Sequence, residues 1–345
     1  MCETLKFSDV LDKICKDVGI TGDSLDVDEN VLAVMLYEVL LGRGKIKSGG
    51  VVKRRIMENI DKFNAALVDE MKAKGVDDVQ GLLSEDVLAI DNVPKYVRVN
   101  SIKTTFLAGL NELKGFAGSD VVVDEHIPSL LMIPASKATG LSSHDGVLSG
   151  RLIIQDKASC FPSQILYDEW ELIKFRVGSD PADLVDTCAA PGNKTSHLAA
   201  QLFRAGVQGT PFQATVFAFD RSVVRAQLLQ HRMDAAGAAN VLVTNMDILT
   251  VDTASDKYRH VRAVLVDPSC SGSGLVRSLE RAIEKTSNKS LYGTKCEEAG
   301  GRDTDARLDK LRQFQIAVVS KAMSFPAAEA VVYSTCSIHV VRREK

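Results

Sequence analysis

The sequence predicts an α/β protein: a doubly wound, parallel-sheet domain preceded by a helical segment and a small mixed α/β domain. Three observations predict it. Five strand-like segments follow one another after Ser159, namely LVDTC, ATVFAFD, NVLVTNMD, AVLVDPSC and AVVYSTC, and helical patterns follow the first two. Strands alternating with helices imply right-handed crossovers and parallel neighbours. The segments close on Asp186, Asp220, Asp247, Asp267 and Cys336, and doubly wound sheets take ligands outside the carboxyl ends of their strands. Upstream, the apolar spacing is that of helices. The expected division is a helical region over 1–85, a small α/β domain over 86–150 and the sheet domain over 151–345.

Taken in order, the run VLAVMLYEVLLG reads as a helix ending at Gly42. Ile56, Ile60, Phe63, Leu67 and Met71 place a second helix from Lys53 to a stop at Gly75. From about residue 92 the pattern changes to a strand, KYVRVNSI, a helix, TFLAGLNELKG, and two further strands, SLLMIPA and GRLIIQD. The polar, glycine-containing stretch from Ser278 to Asp309 reads as a loop or a partly disordered insertion.

Composition excludes several classes. Seven scattered cysteines with no CxxC spacing suggest neither a disulfide framework nor a zinc site, so no metal is expected. No run approaches a spanning helix, and Glu3, Lys6, Asp9, Asp12 and Lys13 interrupt the start, so a soluble intracellular chain with no membrane partner is expected. A net charge of −3 argues against nonspecific coating of nucleic acid. Local contact with RNA remains open to Lys45, Lys47, Lys53, Arg54 and Arg55, and to Lys95, Arg98 and Lys103, although such clusters are more often solvated faces.

The segment LVDTCAAPGNKTSHLAAQLF combines a buried strand, a tight turn at Pro191 and Gly192, and a helix entered at Thr195 or Ser196. Glycine lets a ligand approach the backbone, and a helix start offers unpaired N–H groups. The segment is neither GxGxxG nor a Walker loop, which disfavours a pyrophosphate and a dinucleotide-dependent dehydrogenase. Asp220 closes the next strand 28 residues after Gly192, where a carboxylate can accept hydrogen bonds from ribose hydroxyls. Asp247 is suited to accept from an adenine amino group, or simply to cap a turn. Cys270 lies in a run of Pro, Ser and Gly rather than in an apolar pattern, and Cys336 follows another strand. Two thiols at the mouth of one sheet point to nucleophilic chemistry.

The segments VRVNSIK, IIQDKAS, DTCAAPGNKT, FAFD, VDPSCSGSG, FQ followed by FP, and YSTCSIH resemble, in order, the motifs of the Nop/Sun family of RNA cytosine-C5 methyltransferases. QDKASC, CAAPGNKTSHLAA, DPSCSGSG and YSTCSIH are most similar to the eukaryotic branch that modifies large-subunit ribosomal RNA. The resemblance implies a Rossmann-like methyltransferase domain and S-adenosyl-L-methionine as cofactor, held by Cys188, Ala189, Ala190, Pro191, Gly192, Asn193 and Lys194. It puts Asp220 on the ribose, Asp247 near the adenine, Asp267 near the methionine portion and target base, and Arg225 on the helix after FAFD. It makes Cys336 the nucleophile and gives product release to Cys270, with Asp267 and Lys194 in the catalytic set. Attack by a thiolate at carbon 6 of cytosine would make carbon 5 nucleophilic, and Asp267 would stabilise the charge that develops on the ring.

The family also implies ribosomal RNA or pre-ribosomal particles as partners and a place in the nucleus, at the nucleolus. The basic residues around Lys53 and Arg98 suggest that the region before residue 151, with the small domain, guides RNA, and a monomer is expected. One departure is visible. Family members read on from the TCS motif through Glu-Asn-Glu, whereas this chain has Arg342, Arg343 and Glu344 before Lys345, so the final hairpin of the sheet is expected to be missing. The rival expectation is a noncatalytic RNA-binding assembly factor that keeps the fold. A methyltransferase for proteins or small molecules would need no cysteine pair.

Overall fold

The computed structural model describes residues 2–46, 50–83, 85, 87, 88, 93–203, 212, 214–272 and 302–337. Lys47, residues 278–301 of the expected insertion and the C-terminal Arg342, Arg343 and Glu344 lie outside the described residues. The described residues fall into two compact units, one running to Val93 and one from Pro94 onward.

The first unit is helical: α1 (Cys2–Lys6), α2 (Ser8–Val18), α3 (Gly22–Leu25), α4 (Glu29–Leu40), α5 (Gly50–Glu58) and α6 (Ile60–Lys74). Its core joins Leu11, Ile14, Leu32, Leu36, Ile56 and Phe63, all buried, with α2 packed against both α4 and α6. The single helix expected from Lys53 is two. Asn59 interrupts it, donating its side-chain amide to the Arg55 carbonyl at 3.0 Å, a local bond that competes with the helical ladder. Gly75 ends α6 in the left-handed region, φ 66°, as expected of a C-terminal cap.

The second unit holds two sheets. The smaller is antiparallel, in the order β2 (Val122–Val123), β3 (Leu130–Ile133), β1 (Lys95–Val99), β4 (Leu152–Ile154). Helix α7 (Phe106–Ala117) covers one face, where Val97, Val99, Leu113, Leu131 and Leu152 form a core. Arg98 alternates to the other face yet is fully buried. This corrects its expectation as an RNA-facing cation: the second sheet's helix layer covers that face. A short helix, α8 (Asp145–Leu148), precedes β4.

Helix α9 (Lys157–Val177) leads into the larger sheet: β5 (Asp183–Asp186), α10 (Asn193–Gln201), β6 (Val216–Asp220), α11 (Val223–Ala236), β7 (Val241–Asn245), β8 (Val261–Val266), α12 (Arg302–Ala322) and β9 (Ala330–Tyr333). All pairings are parallel, in the order β7-β6-β5-β8-β9, which is the Rossmann-like arrangement. Strand residues alternate between two cores. Leu184, Ala218, Ala263 and Leu265 pack toward α9, α10 and α11, while Val185, Phe217, Phe219, Val264 and Val266 pack with Val318, Ala322 and Phe325 at the end of α12. Such two-faced burial accounts for continuous apolar strands such as AVLV.

Two local expectations change. The polar stretch up to Asp309 is helical from Arg302; among the described side chains of α12 only Val318 and Ala322 are buried, while Ala306, Arg307, Asp309 and Lys310 are exposed, so the polar stretch shows no apolar face. Helix α10 starts at Asn193, not at Thr195 or Ser196. Gly192, at φ 105°, ends the turn at once, and a Cβ there would come within 2.8 Å of both Leu229 and Met233. Thr195 and Ser196 are drawn inward, and the Thr195 hydroxyl donates to the Asp186 carboxylate at 2.8 Å.

Asp186 is fully buried, and one carboxylate oxygen has no hydrogen-bond partner. Burial pushes its pKa up to about 7, against the lowering influence of Thr195 and with the Asp267 carboxylate adding to the rise. The fold therefore binds a proton there that the unfolded chain releases. Its stabilising effect is complete below about pH 4 and is lost as pH rises to about 7. Chemical denaturation across this window should show the parent chain losing stability relative to Asp186→Asn, which keeps an acceptor for Thr195 without the titration. A stability difference independent of pH would contradict this reading.

Candidate active site

The strand order reverses between β5 and β8, and the loops leaving these strands, together with those after β6 and β9, carry the site. At its centre is Asp267, immediately past β8. Lys194 Nζ, from the first turn of α10, pairs with its Oδ2 at 2.6 Å, and the Ser334 hydroxyl, just past β9, donates to its Oδ1 at 2.7 Å. One carboxylate thus joins three loops. Ser334 is a residue that sequence reasoning missed.

Beside this group, a cleft is lined by Cys188, Asp220, Arg225, Met246, Asp247 and Phe314 among others. Asp220 is 5% exposed; its Oδ1 accepts the Ser222 N–H at 2.9 Å, and Oδ2 lies 3.4 Å from Arg225 Nη2. The same Arg225 nitrogen donates to the Ala190 carbonyl, which anchors the Ala-Pro-Gly turn to β6. Asp247 caps a short 3-10 turn, accepting the Leu249 N–H at 3.0 Å. Ala189 and Ala190 are buried beneath the turn. Helix α12 also reaches the site. Gln315 donates to the Ser269 carbonyl at 3.0 Å and accepts from the Tyr333 hydroxyl at 3.1 Å, so it fixes the loop holding Cys270 against β9. In the sequence FQ carries only the family resemblance, and no pattern there assigns Gln315 this task.

Cys270 and Cys336 come together with their thiols hydrogen-bonded, and neither is in a disulfide. Ser271 and Ser337, one residue beyond each, lie 2.8 Å apart through their hydroxyls. The thiols are polarised in opposite senses. Burial raises Cys270, but hydrogen bonds from the Cys336 thiol, the backbone N–H groups of Gly272 and Cys336, and the Thr335 hydroxyl outweigh it, so its pKa falls below the ordinary thiol value. Burial, donation to Cys270 and the nearby Cys270 and Asp267 charges push Cys336 up to about 11. Burial also pushes Cys15, Cys160 and Cys188 up to about 12. Among the cysteines whose side chains are described, Cys270 alone is lowered.

The family model described as 16S rRNA methyltransferase RsmB/F matches residues 178–345, and that of the NOL1/NOP2/Sun domain family member 5 N-terminal domain matches residues 1–83. The 25S rRNA (cytosine-C(5))-methyltransferase rcm1 of Schizosaccharomyces pombe is 33% identical, over all of this chain and 70% of that protein. The chain belongs to the Nop/Sun family. Its other Nop/Sun relatives include the 28S rRNA (cytosine-C(5))-methyltransferase of Mus musculus, 32% identical over 98% of this chain and 69% of that one. The Caenorhabditis elegans 26S rRNA (cytosine-C(5))-methyltransferase nsun-5 is 30% identical over 100% and 76%. The crystal structure of PH0851 shares the fold, with a TM-score of 0.58 at 20% identity over 98% of this chain and 76% of that one.

The polarity of the thiol pair sets an expected outcome. A thiolate is the form that alkylates, so near neutral pH iodoacetamide should label Cys270 before Cys336. The Cys270 rate should level off at a lower pH than that of an ordinary thiol. Peptide mass spectrometry over time reads both, and faster labelling of Cys336 would contradict the assignment.

Proposed function

We propose that this chain methylates carbon 5 of a cytosine in RNA, with S-adenosylmethionine as donor, through a covalent adduct between Cys336 and carbon 6 of the base. The observation that carries the reading is the convergence of the Cys270 and Cys336 loops, whose next residues Ser271 and Ser337 lie 2.8 Å apart, beside Asp267 at the carboxyl edge of the sheet. A Nop/Sun chain whose relatives in three eukaryotes are named for 25S, 26S and 28S rRNA is fitted to act on large-subunit ribosomal RNA. Work on pre-ribosomal particles in the nucleolus, as a monomer, belongs to the same proposal. So does guidance of RNA by the small α/β domain expected over 86–150. Among the described residues no helix is long and apolar enough to cross a membrane.

The residues present suit the cofactor. Asp220 offers a buried carboxylate to ribose hydroxyls, and Met246 and Ile248 give apolar walls for a base with Asp247 at its rim. Cys188 to Lys194, with Asp267, would face the methionine end, and Arg225 would steady Asp220 and the turn. When bound, the cofactor supplies the methyl group.

The chain's own residues handle the protons and the ring. Cys270, in the thiolate form that its lowered pKa favours, accepts the Cys336 proton and becomes the thiol as Cys336 sulfur adds to carbon 6. Lys194, held in place by Asp267, offers the positive charge that supports the negative charge developing on the ring nitrogen side, and Asp267 is itself anchored by Ser334. After methylation, carbon 5 still carries its proton. Cys270, once it has passed its own proton to solvent, removes that proton directly or through a water, and the carbon–sulfur bond breaks to release Cys336 as thiolate. The target base must leave any stack to reach these groups.

Incubation with RNA and S-adenosylmethionine followed by denaturing electrophoresis tests the division of labour. Cys336→Ala should yield neither methylation nor adduct. Cys270→Ala should attack more slowly, with solvent as proton acceptor, yet accumulate a stable protein–RNA adduct because release stalls. An adduct formed only by Cys336→Ala would reverse the roles.

A further inference from the structure

Arg98 is fully buried, on the face of β1 turned to the larger sheet. Its Nε donates to Gln155 Oε1 at 2.8 Å, and its Nη2 donates to Ser196 Oγ at 2.8 Å and, at 3.5 Å, to the Asn193 carbonyl. Nη1 has no partner. Among the described residues no carboxylate pairs with this guanidinium. Burial pulls its pKa down to about 10, so it stays charged at neutral pH. Its neighbour His197 is buried with both ring nitrogens unpartnered; burial, then the Arg98 charge, holds it well below the ordinary histidine range, and it is neutral.

A buried charge without a counter-charge is costly, and an apolar residue at such a place is often more stable. Here the charge lies against the first turn of α10, whose N-terminus has no side-chain cap. A helix N-terminus favours negative charge, and a cation beside it in a low-dielectric interior adds to that field. We propose that Arg98 is a positioning residue for the cofactor: its uncompensated charge reinforces the N-terminus of α10 and holds the carboxylate end of the methyl donor. The inference rests on the cofactor reading above and gives the small sheet a direct part in cofactor selection. Gln155 supports it, because a neutral amide steadies the guanidinium without cancelling its charge, and its own Nε2 is engaged with the Ser159 carbonyl at 3.1 Å.

The test compares two nucleosides that share adenosine and a thioether but differ in the amino-acid portion: S-adenosylhomocysteine and 5′-methylthioadenosine. Gln155→Glu places a counter-charge on Arg98 at nearly unchanged volume. By calorimetry it should weaken S-adenosylhomocysteine about tenfold, while 5′-methylthioadenosine stays within about twofold, as expected when only an interaction between charges is cancelled. Equal weakening of both ligands, or of neither, overturns the inference. Should Gln155→Glu fail to fold, Arg98→Lys keeps the charge and must retain the parent ratio of the two affinities; loss of that ratio would also overturn it. A parent chain that binds neither nucleoside sinks the cofactor reading and this inference together, which separates that failure from a failure confined to Arg98.

Discussion

The site depends on one carboxylate held from two sides. Asp267 receives Lys194 at one oxygen and Ser334 at the other, and the three residues follow three different strands, β8, β5 and β9. Charge-assisted bonds of this kind are short and directional. They fix where the Ala-Pro-Gly turn stands relative to the Cys270 loop and where β9 delivers Cys336. The parallel sheet makes such a junction possible, since β5, β8 and β9 all run in the same direction and end at one edge.

The thiol pair inherits its polarity from that junction. Asp267 is among the charges that raise Cys336, and the donors that lower Cys270 come from its own loop and from the loop after β9. Gln315 adds a tie from α12 across the same two elements. Sulfur chemistry at this edge therefore rests on loop placement more than on any intrinsic acidity of cysteine. Cys188 makes the contrast: it also lines the cleft, yet burial keeps it a thiol.

Much of this was legible in the sequence because the strands are buried on both faces and end in polar residues. AVLVDPSC and LVDTC announce both a strand and its functional end, and the order of motifs carried the family. What was not legible depends on a second layer. Alternation in KYVRVNSI puts Arg98 opposite Val97 and Val99, and a basic residue opposite an apolar face reads as solvent-facing; only the packing of β1 against α10 buries it. The start of α12 is equally hidden, because Ala306, Arg307, Asp309 and Lys310 are exposed and a polar, exposed stretch has no apolar period to read. Ser334 and Gln315 are ordinary residues by type, and their importance arises from what the fold brings to them.

The account stands on methyl transfer to carbon 5 of cytosine in RNA, and the identity of the labelled nucleoside is its most direct measure. The intact chain would be incubated with S-adenosylmethionine carrying a tritiated methyl group and with ribosomal RNA from cells lacking the protein, and the RNA then digested to nucleosides and separated. Label is predicted in 5-methylcytidine. Label in another nucleoside, or none from a chain that binds the cofactor, would contradict the account.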